Sequence, residues 1–132
     1  MELNQYQELA QRTSNKALAK REHLLNGALG LAGESGEVAD LVKKAYMQGH
    51  AIDRATLAKE LGDILWYIAE AATAIDYNLD TIAQMNIDKL HKRYPEGFDP
   101  ERSIHRPEYE RKGKEQTESA SEHLFNMRNK TL

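Results

Sequence analysis

Apolar residues recur at three- and four-residue spacing through most of the first 94 positions, and strand-like alternation is scarce. That period predicts an all-α domain. A first helix is expected over about Leu3 to Arg12. A long second helix is expected from about Arg21 to Met47, with Leu24, Ala28, Leu31, Ser35, Val38, Val42 and Ala45 along one face, ended by Gly49. The turn that follows closes on Asp53, whose carboxylate can cap the next helix. This third helix, from about Arg54 to Asp76, carries Leu57, Leu61, Ile64, Ile68 and Ile75 as its stripe. Asp80 or Thr81 opens a fourth with Ile82, Met85 and Leu90, and Pro95 and Gly97 end it near Tyr94. The expected architecture is a bundle of about four main helices.

Past Pro107 the chain turns to Glu, Lys, Arg, Ser and Asn with few apolar residues, too few to offset the entropy of ordering. The domain is therefore placed at residues 1–106. Residues 107–132 read as a polar tail, mobile or bound to a partner, in which Leu124, Phe125 and Met127 could anchor a short helix.

One helix carries a cost that asks for compensation. Gly27, Gly30, Gly33 and Gly36 recur every third residue, each about 1 kcal/mol less favourable than alanine in a helix interior. A row of bare positions forms a groove into which another helix packs closely. Its spacing matches neither a Walker A loop nor a dinucleotide fingerprint.

Composition narrows the partners. At 132 residues the chain makes one domain, small enough for other subunits to complete. A formal charge of −3 gives no electrostatic footprint for polymeric nucleic acid. There is no cysteine, so no disulfide or thiolate site. A polar start and the lack of a membrane-length apolar run point to a cytoplasmic protein without a membrane partner.

Two short runs, Glu34-Ser35-Gly36-Glu37-Val38 and Glu60-Leu61-Gly62-Asp63-Ile64, repeat one pattern. Residues three apart lie roughly 60° apart around a helix, so each run aims two carboxylates at nearly the same place. Charged pairs at this spacing are common on solvated faces. Here both pairs begin at the rim of an apolar stripe, and antiparallel packing of the two helices would bring all four acids together. Like charges so placed need a cation or protons, and hard divalent cations favour oxygen ligands. Glu34, Glu37, Glu60 and Asp63 are thus the candidate metal ligands and catalytic acids. Histidine-based sites fit less well: no Glu has His three residues on, and His23, His50, His91 and His105 form no His-Glu-x-x-His or His-x-His arrangement. Trp66 and Tyr67, just after Asp63, suit either stacking on a nucleobase or packing on another helix.

These residues resemble a known family. Gly33-Glu34-Ser35-Gly36-Glu37-Val38 followed by Lys59-Glu60-Leu61-Gly62-Asp63-Ile64-Leu65-Trp66-Tyr67 is similar to the paired acidic signature of MazG-like nucleoside triphosphate pyrophosphohydrolases, in the all-α NTP pyrophosphatase superfamily. The segment Asn86-Ile87-Asp88-Lys89-Leu90-His91-Lys92-Arg93-Tyr94-Pro95 resembles the family's third motif, and the likeness runs from about Leu24 to Arg106. It implies Mg²⁺, with Mn²⁺ as a substitute, and cleavage of an NTP or dNTP between the α and β phosphorus atoms. It also implies a bundle completed as a homodimer or homotetramer. Asn86, Lys89 and Arg93 would meet the phosphates. His23, Asn26, Trp66 and Tyr67 mark where base contacts are expected, and the arginines of Glu101-Arg102-Ser103-Ile104-His105-Arg106 either close over phosphates or anchor the tail. The rival from another class is a non-catalytic helical nucleotide-binding or interaction protein, which would need no complete acidic quartet.

Overall fold

All four expected helices are present in the computed structural model, which describes residues 1–105. Arg106 and the polar tail, with Leu124, Phe125 and Met127, lie outside the described residues. Helix α1 (Leu3–Ala10) runs into a 3-10 turn, Gln11–Thr13; α2 spans Lys20–Gln48, α3 Arg54–Ala74, α4 Leu79–Arg93 and the short α5 Pro100–Ile104. No strand occurs among the described residues.

The helix ends have local causes. Glu22, in the first turn of α2, accepts the Ala19 N–H at 2.7 Å. Gly49 closes α2 with φ +74°, a left-handed conformation that suits glycine. Asp53 Oδ1 caps α3 by accepting the N–H groups of Ala55 and Thr56 at 3.0 and 3.2 Å. Asn78 Oδ1 accepts the Thr81 N–H at 2.8 Å, which starts α4 slightly earlier than Asp80.

The chain divides into two compact units, Met1–Met85 and the residues from Asn86 on. In the first, α2 and α3 form an antiparallel hairpin. Moving from its open end toward the turn, His23 meets Glu70, Gly27 meets Ala71, Gly30 meets Tyr67, and Glu34 meets Asp63 and Glu60. A Cβ on Gly27 would lie 2.9 Å from that of Ala71, and one on Gly30 would lie 2.1 Å from the Tyr67 ring. Two glycines of the row therefore make the close helix approach that their spacing implied. Gly33 and Gly36 meet nothing within 4 Å.

The glycines also turn the helices away from the expected stripes. Backbones approach most closely where side chains are missing, so the seam follows Gly27 and Gly30 instead of the leucines beside them. Leu24 is left 41% exposed and Leu61 52% exposed. The buried core consists of Ala10, Ala69, Ala72 and Leu79, with Tyr6, Trp66, Ile68 and Ile82 packed around it. Helix α1 reaches this core through Ala10 and through Gln7, a buried amide. Its Nε2 donates to Thr73 Oγ1 and to the Tyr77 carbonyl at 2.9 and 3.0 Å, while its Oε1 accepts the Leu79 N–H at 2.8 Å. That accounts for the burial of a polar side chain.

In the second unit the remainder of α4 ends at Arg93, two residues before Pro95. The rings of Tyr94 and Phe98 then pack at 5.5 Å between centroids. Asp99 Oδ1 caps α5 by accepting the N–H groups of Glu101 and Arg102.

Candidate metal centre

Glu60 and Asp63 stand three apart on α3, and Glu34 stands one turn beyond Gly30 on α2. Packing at Gly27 and Gly30 brings the two helices close enough for one carboxylate oxygen from each acid to lie within 4.8 Å of the other two. Among the described residues, no lysine, arginine or histidine pairs with any of the three. The lysines further along α2 are committed elsewhere. Lys43 and Lys44 both pair with Asp40, and their hydrogen bonds hold its carboxyl down at about 2.

The result is a concentration of negative charge. Partial desolvation, then the charges of Asp63, Glu60 and Glu37, push the Glu34 carboxyl above its ordinary value. Glu37, expected as a fourth member, is exposed and stands outside the three-carboxylate group, although its charge reaches Glu34. Across from α3, the phenol of Tyr6 on α1 is pushed up by burial and by Asp63. An all-oxygen, electron-rich donor set of this kind fits a hard divalent cation.

At the other end of the seam stands an acid that sequence pattern did not single out. Glu70 is 1% exposed. Its Oε1 accepts Ser14 Oγ–H at 3.0 Å and lies 2.6 Å from His23 Nδ1, and its Oε2 accepts Gln11 Nε2–H at 3.1 Å. Nδ1 so close to a carboxylate oxygen must carry its proton, because two acceptors would repel. Burial alone would raise the Glu70 carboxyl, but the bonds from His23, Ser14 and Gln11 outweigh it and hold the group below its ordinary value. A signal for this pair does exist: the antiparallel register that sets Glu34 against Asp63 also sets His23 against Glu70.

The expected base-contact residues take different positions. His23 is occupied by Glu70. The Tyr67 ring covers Gly30, and Trp66 Nε1–H donates to Thr13 Oγ1 at 2.8 Å and to the Ala10 carbonyl at 3.2 Å. The two rings meet edge to face at 5.0 Å. Asn26 is exposed on α2. In the second unit, Asn86 and Lys89 are exposed on α4 and Arg93 is half-buried in its last turn.

The class of protein follows from the helices: an all-α domain whose unpaired acids gather at one end of a glycine-lined seam. The profile of the MazG nucleotide pyrophosphohydrolase domain matches residues 21–98, more than half of the 132-residue chain, and the chain belongs to that family. It is similar to Gene 37 protein of Mycobacterium phage L5, at 40% identity over 73 residues covering 52% of this chain. The chain covers 64% of that relative, less than two thirds of its length. No solved structure matches. No helix among the described residues is long and apolar enough to cross a membrane.

Proposed function

We propose that the chain hydrolyses a nucleoside or deoxynucleoside triphosphate between the α and β phosphorus atoms, giving the monophosphate and pyrophosphate, with Mg²⁺ as cofactor and Mn²⁺ as a substitute. The observation that carries this reading is the convergence of Glu34, Glu60 and Asp63, without a cationic partner, inside a MazG domain. Glu34, Glu60 and Asp63 would hold the cation, with Glu37 beside them. When bound, a divalent ion of this kind neutralises phosphate oxygens and lowers the pKa of the water that attacks phosphorus.

The rest of the work belongs to the chain's own groups. Contacts at Gly27 and Gly30 fix the distance between the acids of α2 and those of α3, which limits reorganisation as charge develops. Asn86 orients a phosphate oxygen, and Lys89 and Arg93, four apart on α4, neutralise the departing pyrophosphate. Asn26 is the expected base contact with a free approach from solvent. Trp66, Tyr67 and His23 are engaged within the protein, so we assign them to shaping the site around the base.

The same reading completes the bundle with a second copy, as a homodimer or homotetramer, and places it in the cytoplasm. Leu25, Leu29, Tyr46 and Met47 are exposed, and Gly33 and Gly36 are open, so α2 has surface for another helix. The direct test is a panel of NTPs and dNTPs with Mg²⁺, scored separately for pyrophosphate and orthophosphate. Pyrophosphate as first product, abolished by chelator, is expected. Orthophosphate first, or turnover without a divalent ion, would refute the reading. Nucleotide binding without turnover would favour the non-catalytic alternative.

A further inference from the structure

Residues 1–14 lie on α3 with little apolar surface to hold them. Ala10 and part of Tyr6 join the core, whereas Leu3 and Leu9 are exposed. The rest of the fastening is polar. Gln7 bonds Thr73, Tyr77 and Leu79; Asn4 Oδ1 accepts the Asp80 N–H at 3.0 Å; Ala10 and Thr13 receive the Trp66 indole; Gln11 and Ser14 donate to Glu70. Hydrogen bonds exchange with water at small net cost, so a segment held this way opens more readily than an apolar helix would. Within this fastening, Glu70 is a buried carboxylate that accepts two bonds from the segment and one from α2.

We propose that residues 1–14 form a strap latched by the Glu70 carboxylate, and that proton uptake at Glu70 unseats it. Ionised Glu70 accepts from three donors at once. Protonation turns one acceptor into a donor; Ser14 Oγ can turn to accept it, but Gln11 Nε2 and His23 Nδ1–H cannot, so the three donor bonds that ionised Glu70 accepts are no longer all made. His23 of α2 is the ionisable group facing Glu70. The strap faces it with uncharged Gln11 and Ser14, while Lys16 bonds the Gln11 carbonyl and the Tyr6 phenol is raised by burial and by the charge of Asp63. Along α3 its neighbours Ala69, Ala71 and Thr73 do not ionise, and the phenol one turn back, Tyr67, lies over Gly30.

The sign follows from linkage. Seated, the strap holds Glu70 below its ordinary value; released, Glu70 loses two of its three donors and returns toward that value. Seating is therefore favoured above the ordinary carboxylate range and is lost as pH falls through the lower, seated value. Unseating also removes both hydrogen-bond partners of Trp66, three residues from Asp63. The latch thus connects proton uptake to the acid end of the seam. It stands independently of the hydrolase reading.

Hydrogen–deuterium exchange of the full chain, corrected for the intrinsic pH dependence of exchange, reads the strap at residues 3–13. Emission from Trp66, the one tryptophan of the chain, reads it independently. Protection of residues 3–13 should fall by up to about tenfold per pH unit as pH drops from the ordinary carboxylate range to the lower, seated value of Glu70, the limiting slope of one proton, and level off below it. Trp66 emission should shift in the same window while α2 and α3 stay protected. Glu70→Gln should flatten the dependence. Ser14→Ala should move the window to higher pH, because ionised Glu70 loses a donor, and this variant serves if Glu70→Gln does not fold. Strap protection that stays flat until α2 and α3 also open, an unchanged slope in Glu70→Gln, or an unmoved window in Ser14→Ala would each overturn the latch.

Discussion

The two ends of the α2–α3 seam handle negative charge in opposite ways. At one end Glu34, Glu60 and Asp63 meet one another; at the other, Glu70 meets Gln11, Ser14 and His23. Both ends are built by the same helices and divided by the same two close glycine contacts. The satisfied carboxylate is a fastening, since its hydrogen-bonding capacity is already used within the fold. The cluster of like charges carries electrostatic repulsion, which a divalent cation at the proposed site would relieve.

The largest expected difference between the ends is in activity. Asp63→Asn or Glu60→Gln should lower kcat/KM on the preferred triphosphate on the order of 10²–10³-fold, corresponding to about 3–4 kcal/mol of lost charge stabilisation, while the apo protein stays folded. Unfolding of either variant at room temperature would make the acid end structural and erase the contrast. Glu70→Ala tests the other end. It leaves three donors facing a void and should destabilise the fold by about 3 kcal/mol, read from urea midpoints. A change within experimental error would show that the buried network holds nothing.

The middle of the seam gives smaller effects of opposite sign. Gly30→Ala forces a Cβ into the Tyr67 ring and should lower stability by about 1–3 kcal/mol. Gly33→Ala meets open space within the chain and should raise the stability of dilute protein by about 1 kcal/mol through helix propensity alone. A loss at Gly33 would mean that a second copy already covers it.

The pH dependences should also diverge. Glu34 is raised in the fold by desolvation and then by the charges of Asp63, Glu60 and Glu37, so its ionisation costs stability as pH rises through the ordinary carboxylate range toward its higher folded value. Glu70 is lowered, so its contribution is present above that range and lost as pH falls through its folded value. Glu34→Gln should therefore raise the metal-free melting temperature slightly at neutral pH and not at acid pH. An equal rise at both would remove the cost of ionising Glu34 as the cause.

Much of this was legible before folding because it is local. Gly49, Asp53 and Pro95 mark helix ends through backbone chemistry that needs no tertiary partner. The acid pairs were legible for a similar reason: three-residue spacing fixes their direction on a helix. What sequence pattern missed depends on rotation and register. The leucine-rich stripes suggested one set of buried faces, yet glycine, by having no side chain, decided which faces touch. Glu37 lies one turn from Glu34 along the same helix, but helical spacing alone could not tell that the α3 acids would reach only the first of them. His23 and Glu70 are 47 residues apart, and only the register of the hairpin joins them. Trp66 was legible as an aromatic beside the acids, but its indole partners sit on a polar strap whose docking no periodicity encodes.

The central claim is that the end of the seam carrying Glu34, Glu60 and Asp63 binds a divalent cation and the end carrying Glu70 does not. Calorimetric titration of Mg²⁺, repeated with Mn²⁺, into the unmodified chain, Asp63→Asn and Glu70→Gln separates the two ends in one measurement without involving substrate. The account predicts saturable binding to the unmodified chain, binding weakened at least tenfold in Asp63→Asn, and binding retained in Glu70→Gln. Equal affinity in the unmodified chain and Asp63→Asn, or loss confined to Glu70→Gln, would contradict it.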